Sequence, residues 1–236
     1  MLLADFHIHT TWSDGKLSVA EVVDLFGRSG HDVIAITDHV VNTDTMVGKV
    51  THRFGLTVTA ENFAAYREEL EREKKRALDQ YGMVLIPGFE LTQNCITRRN
   101  SAHVLALGVD EFISADGTVE EMLERAQAKS RIVVACHPHE QSDWFANTFY
   151  LWNRRAEVQH LVDLWEIACR FDLFPPVSRA KLAYIGNSDF HREEHLYAWK
   201  TLVPARKNEL AIFRALEQGT GLAVTRLAAP ATEISA

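Results

Sequence analysis

Val33-Ile34-Ala35-Ile36-Thr37-Asp38-His39 is the stretch on which the reading of the chain turns. Its first five residues carry no charge and no polar alternation, the pattern of a strand covered on both faces of a parallel sheet. A carboxylate and an imidazole follow directly. Upstream, Ser18-Val19-Ala20-Glu21 has the form of a capping box, with Ser18 as N-cap and Glu21 three residues on. Val19, Val22, Val23 and Phe26 continue at helical spacing, and Gly30 stops the helix. Residues 2–8 read as a first strand, which makes a strand–helix–strand unit.

The alternation continues to the end. A charged helix is expected at about residues 60–81, with Phe63, Tyr66, Leu70, Ala77 and Tyr81 near one face. Buried-type strands are read at Met83–Pro87, His103–Leu107, Arg131–Cys136, Val162–Ile167 and Leu182–Gly186. Thr118 and Glu121 repeat the capping box before a helix to about Lys129. A strand near Thr201–Val203, a helix over 208–218 and a strand near Leu222–Thr225 close the series. Residues 40–59 lack periodicity and are expected as a long connection, a candidate lid at about 40–60. With no repeat or low-complexity linker, one domain is expected. Repeated βα units imply an α/β fold with parallel strands and helices outside.

Ligand-type residues recur along this frame. His7 and His9 are two apart, so on a strand they share a face. Asp14 follows closely, then His39, Glu90, His103, His137, Asp189 and His191. Six imidazoles and three carboxylates suit Zn, Mn or Fe alike. They are read at or just after the C-terminal ends of at least six strands. A closed barrel gathers such ends around one mouth, whereas an open doubly wound sheet spreads them along an edge. The barrel is therefore preferred.

Bulk properties narrow the class. An apolar fraction of 47% supplies a core for 236 residues, and 24% charged residues argue against disorder. A net charge of −7 with His neutral disfavours a general nucleic-acid or anionic-membrane binder. No uncharged run approaches the roughly 18 residues that span a bilayer. Cys95, Cys136 and Cys169 are odd in number and widely spaced, which fits neither a disulfide framework nor a CxxC zinc pair. With no signal-type stretch visible before the strand that starts at Leu2, a reduced cytoplasmic setting is expected.

The elements His7-Ile8-His9-Thr10-Thr11-Trp12-Ser13-Asp14-Gly15, Thr37-Asp38-His39, Pro87-Gly88-Phe89-Glu90, His103, His137-Pro138 and Asn187-Ser188-Asp189-Phe190-His191 together resemble the PHP superfamily (polymerase and histidinol phosphatase), a group of metal-dependent phosphoesterases. The resemblance implies a distorted (β/α)7 barrel with two or three divalent ions. It implies His7, His9, Glu90 and Asp189 on one ion; Glu90, His103 and His137 on a second; and Asp14, His39 and His191 on a third. Residues 40–81 and 140–160 match no one subfamily. Three dications against Asp14, Glu90 and Asp189 leave a net positive site that attracts a phosphate dianion, and a metal-bridging hydroxide is the expected nucleophile.

Other residues carry weaker signals. His139 is a candidate proton donor or phosphate contact, weighed against a structural histidine. Asp38 is a candidate for orienting an imidazole, weighed against a turn-stabilising role. Glu166 lies in an apolar strand and is expected to face the barrel centre, in support of a ligand, weighed against pairing with a buried Arg. Arg98, Arg99 and Arg192 are candidate phosphate contacts; Lys49, His52 and Arg53 lie in the candidate lid. The aromatic run Trp144 to Trp152 is either a stacking wall for a base or packing.

The function expected is hydrolysis of a small phosphorylated metabolite, a phosphomonoester first. A short nucleic-acid end is an alternative, while long nucleic acid is not expected. A metal-dependent hydrolase of C–N or C–O bonds is the rival enzyme class, and a metal-stabilised binding domain the non-enzymatic one.

Overall fold

The computed structural model describes residues 1–95, 101–138 and 148–228. The chain begins with β1 (Leu2–Asp5), α1 (Val19–Arg28) and β2 (Val33–Ile36), and β1 and β2 pair in parallel. Ser18 caps α1 as its sequence implies: its Oγ accepts from the Glu21 amide, and the Glu21 carboxylate accepts from the Ser18 amide. Such a box is worth on the order of 1 kcal/mol.

Next come β3 (His39–Val41), α2 (Met46–Arg53), α3 (Phe63–Tyr81), β4 (Val84–Gln93) and β5 (Ala102–Leu107). They are followed by α4 (Val119–Lys129), β6 (Ile132–Ala135), α5 (Phe149–Asn153), α6 (Arg155–Val158) and β7 (Leu164–Cys169). The chain closes with β8 (Asp172–Leu173), α7 (Pro176–Arg179), β9 (Tyr184–Asn187), β10 (Trp199–Val203), α8 (Glu209–Gln218) and β11 (Ala223–Arg226).

These strands form one mixed sheet in the order β11-β10-β1-β2-β4-β5-β6-β7-β8, with β3 beside β4 and β9 beside β7. The sheet curls back on itself. Past β9, Phe190 bridges Ile8 in parallel, with His9 N donating to Phe190 O at 2.8 Å and Phe190 N to His7 O at 3.0 Å. The ends of β1 and β9 therefore meet at one rim.

Strand direction departs from the expectation of all-parallel βα units. β5 runs antiparallel to both β4 and β6, and β10 and β11 add an antiparallel edge. Two adjacent antiparallel strands need no crossover helix, which is why none separates β4 from β5. The reversal has a functional consequence: His103, near the start of β5, reaches the rim that its neighbours reach with their C-terminal ends. Glu90 likewise lies inside the long β4 and not past its end.

Alternate strand residues serve two buried clusters. Val84 and Ile86, Ile132 and Val134, with Leu164 and Ile185, pack with Ile212, Phe213 and Leu216 of α8. Leu85, Val133 and Trp165 pack against Val22, Phe26, Leu70 and Leu123 of the surrounding helices. Burial on both faces explains the unbroken apolar runs. Residues 40–60, expected as a long connection and candidate lid, contain the end of β3 and all of α2. Periodicity failed there because a three-residue strand and a largely exposed eight-residue helix bury too little to show a pattern. Among the described residues, no helix is long and apolar enough to cross a membrane.

Candidate metal centre

The rim where β1, β2, β4, β5, β6 and β9 meet collects all nine ligand-type residues into one cluster. His7, His9 and Glu90 lie together; so do Glu90, His103 and His137, and His9, Asp14, His39 and His191. Asp189 Oδ1 stands 3.5 Å from Nε2 of both His7 and His9 and 3.3 Å from His191 Nδ1. Asp189 and His137 both have positive φ, 47° and 23°. A non-glycine residue in that region costs roughly 1–3 kcal/mol and persists where the surroundings enforce it.

Each imidazole has one nitrogen tied by an acceptor and the other aimed inward. His7 Nδ1 is 2.9 Å from Glu166 Oε1; an ionised carboxylate only accepts, so Nδ1 carries a hydrogen and Nε2 is the nitrogen left to face a cation. His137 Nδ1 pairs with Thr148 Oγ1 at 3.1 Å, and that hydroxyl in turn donates to His137 O. His39 Nδ1 lies 2.8 Å from Thr92 Oγ1, which donates to Glu90 O. His191 Nδ1 donates to Asp189 O at 2.9 Å. His9 Nδ1 faces Ser13 Oγ at 3.4 Å, and Ser13 donates to Asp38. His103 is reversed: Nε2 is tied to Asn94 Oδ1, and Nδ1 faces Glu90 Oε1, both at 2.9 Å. Such outer contacts fix tautomer and ring orientation around a metal.

The inner atoms have the spacing of ligands around a cation. Nε2 of His7 and of His9 are buried and make no hydrogen bond. They stand 3.4 and 3.2 Å from Glu90 Oε2 and 3.5 Å each from Asp189 Oδ1. A tetrahedral ion about 2.1 Å from each ligand has ligand–ligand edges of about 3.4 Å. The residues therefore fit a divalent ion.

Electrostatics agrees. Burial disfavours a charged His7, but the Glu166, Glu90 and Asp189 carboxylates outweigh it and raise its pKa well above the ordinary value. His39, opposed by burial and favoured by Glu90 and Asp14, is pushed up to about 9. Burial opposes ionised Glu90 too, yet His39, His103 and His7 hold its carboxyl well below the usual range. His9, buried and facing His191 and His39, is lowered. A centre of ionised acids drawing protons onto imidazoles is one in which bound cations displace protons.

Other expected residues fall elsewhere. Asp38 touches no imidazole: it accepts from Thr10 N at 2.7 Å, Thr10 Oγ1 at 2.8 Å and Ser13 Oγ at 2.6 Å. It pins the loop between β1 and α1, as in the turn-stabilising alternative, and it reaches His9 indirectly, through the Ser13 hydroxyl. Gly15 belongs to the same loop; a Cβ there would sit 2.4 Å from His9 O. Arg192 points outward, its side chain 65% exposed and 3.5 Å from Glu194. Arg98, Arg99 and His139 lie outside the described residues, as do Trp144 and Phe145. Of the aromatic run, Trp152 packs edge-on against Trp165 and Phe174, and Tyr150 Oη donates to Glu120 at 2.7 Å, which is packing and not a free stacking face. Lys49, His52 and Arg53 are exposed on or near α2.

Two residues support the centre beyond the roles read from sequence: Asn187, seen there only as part of its motif, and Arg170. Asn187 Oδ1 accepts from Phe6 N at 2.9 Å while its amide donates to Glu166 at 2.8 Å, joining β1, β7 and β9 beneath the centre. Arg170 lies 2.9 Å from Asp189 Oδ2. The signal for Arg170 was present: it directly follows the apolar run Leu164–Cys169, the kind of position that singled out His39.

No protein-family model matches the chain. Over 134 residues, 57% of this chain, it is 27% identical to the DNA polymerase/3'-5' exonuclease PolX of Bacillus subtilis, covering 23% of that protein. In three dimensions it resembles a two-domain protein of Bacteroides vulgatus containing a predicted PHP-like metal-dependent phosphoesterase, with TM-score 0.68 and 20% identity over 96% of this chain and 65% of that one. PsfC of Pseudomonas syringae aligns with TM-score 0.58 and 16% identity over 96% and 92% of the two chains. An amidohydrolase of Chromobacterium violaceum, solved with sulfate and no metal, aligns with TM-score 0.53 and 15% identity over 94% and 97%. At these identities the likeness is one of fold. The chain spans under a quarter of PolX and about two thirds of the Bacteroides protein.

Proposed function

We propose, on the premise that this chain belongs to the PHP superfamily, that it is a metal-dependent phosphoesterase acting on a small phosphomonoester. We read the curled sheet as a distorted (β/α)7 barrel whose rim holds two or three divalent ions, Zn, Mn or Fe. The observation that carries the proposal is the pair of buried, unbonded Nε2 atoms of His7 and His9, set 3.2–3.5 Å from Glu90 Oε2 and Asp189 Oδ1.

His7, His9, Glu90 and Asp189 hold one ion in this reading; Glu90, His103 and His137 a second; and Asp14, His39 and His191, with His9 in reach, a third. Bound ions of this kind supply Lewis acidity at phosphoryl oxygens and bring the pKa of a coordinated water toward neutrality. Glu90 divides its oxygens, with Oε1 toward His103 and His137 and Oε2 toward His7, His9 and His39. That division is what a carboxylate shared by two neighbouring ions requires. Glu166, from beneath, keeps the His7 lone pair pointing inward.

Charge favours a phosphate over a neutral amide. Three dications against Asp14, Glu90 and Asp189 leave three positive charges, and Arg170 and Glu166 cancel each other. A largely buried rim screens that field less than bulk water does, so a dianion gains most from entering. His139 as proton donor and Arg98 and Arg99 as phosphate contacts are proposed on sequence alone.

The test is elemental analysis of protein purified without chelator, then phosphate release from para-nitrophenyl phosphate, phosphorylated metabolites, mononucleotides and a short oligonucleotide. Release from monoesters by metal-loaded protein is expected. Loaded protein that is inert on the whole panel, or that cleaves only amides or lactones, would sink the proposal.

A further inference from the structure

Arg170 has a place in the centre that the phosphoesterase reading does not use. It occupies the turn between β7 and β8 with φ of 50°, in the left-handed region that glycine or asparagine takes at lower cost. Its backbone is held on both sides: its N–H donates to Asn187 O and its carbonyl accepts from Trp199 N, each at 3.2 Å. A strained non-glycine at a clamped turn indicates that its side chain is needed.

That side chain reaches back over the rim. Nη2 is 2.9 Å from Asp189 Oδ2 and 3.5 Å from His191 Nδ1, while Nε is buried with no hydrogen-bond partner. The two oxygens of Asp189 are thereby divided. Oδ1 faces His7, His9 and His191; Oδ2 faces the guanidinium.

We propose that Arg170 is a positioning residue of the metal centre: by occupying Asp189 Oδ2 it fixes the carboxylate so that a single oxygen, Oδ1, is offered inward. The inference rests on the metal-centre reading. Two opposing effects must be weighed. A guanidinium near the ions repels them, which weakens binding, while a prearranged ligand strengthens it. With Oδ2 saturated by a charge-assisted hydrogen bond and Asp189 held at positive φ, prearrangement dominates; losing an outer contact of this kind typically weakens metal affinity about 10- to 100-fold.

The experiment is Mn2+ titration of metal-stripped protein by calorimetry, with electron paramagnetic resonance of the loaded samples, for wild type, Arg170→Met, Arg170→Gln and Arg170→Lys. The expected result is an affinity loss of about 10- to 100-fold in Arg170→Met, an altered Mn2+ spectrum, and substantial recovery in Arg170→Lys, whose ammonium still donates to Oδ2. If Arg170→Met does not fold, the comparison of Arg170→Gln with Arg170→Lys carries the same expectation. Affinity equal to or tighter than wild type in Arg170→Met or Arg170→Gln would overturn the inference, because repulsion would then be the dominant effect. Wild type that takes up no Mn2+, Zn2+ or Fe2+ would instead overturn the metal reading itself.

Discussion

Glu166→Gln isolates the outer support of the centre with almost no change of shape. Glu166 is fully buried and accepts from His7 Nδ1 at 2.9 Å, Asn187 Nδ2 at 2.8 Å and His137 N at 2.7 Å. Glutamine has one acceptor oxygen. Placed toward His7 and Asn187, it turns its NH2 against the His137 amide; placed the other way, it opposes the other two donors. At least one buried donor loses its partner, at about 1–3 kcal/mol, and the surviving bonds lose their charge assistance. The apo protein should lose roughly 2–4 kcal/mol, read by urea denaturation in chelator. The His7 ring also loses the charged acceptor that holds its hydrogen on Nδ1 and aims Nε2 inward as a basic ligand, so Mn2+ affinity should fall about 10- to 100-fold by calorimetry. Unchanged affinity together with unchanged apo stability would refute the argument that Glu166 orients His7.

Four further outcomes are expected. Asp189→Asn or His7→Asn should lower turnover by several orders of magnitude with the circular dichroism spectrum retained; full turnover in a metal-loaded variant would remove that residue from the centre. Gly15→Ala places a Cβ 2.4 Å from His9 O, so the β1–α1 loop must shift, lowering stability by about 1–3 kcal/mol and weakening metal uptake; a wild-type melting curve would count against it. Lys200 and Asp5 form a fully buried pair, Nζ to Oδ2 at 3.1 Å, so Lys200→Met should cost about 3–5 kcal/mol by leaving the carboxylate uncompensated, and an unchanged urea midpoint would contradict it. His31 is buried, and burial lowers its pKa from 6.5 to about 4, so its neutral form is the folded one. The associated stability is complete above pH 6.5 and is lost as pH falls toward 4, about 2 kcal/mol by pH 5. His31→Leu should therefore flatten the acid limb of apo stability between those values; an unchanged slope would show that His31 contributes nothing to it.

Local pattern and long-range contact divide the molecule cleanly. The capping boxes at Ser18 and Thr118 and the apolar runs at Val33, Met83, Ile132 and Leu164 were legible because each depends on residues within a few positions of one another. The ligand series was legible because its types are rare in buried strands without a chemical reason. The segment around α2 was not, since a short, mostly exposed helix has no buried face to impose a period. The two alternatives for Asp38 stay open in sequence because adjacency to His39 says nothing about which way a side chain turns at a strand end; its carboxylate turns to the Thr10–Ser13 loop.

By itself, then, the sequence determined an α/β chain whose strands carry an ordered set of imidazoles and carboxylates. Only the tertiary structure decided the antiparallel course of β5 that brings His103 to the rim, the Glu166–His7 contact 159 residues apart in the chain, and the grip of Arg170 on Asp189. Periodicity and capping are written in neighbouring residues. Strand direction, tautomer and carboxylate orientation are set by atoms that become neighbours only once the sheet has curled.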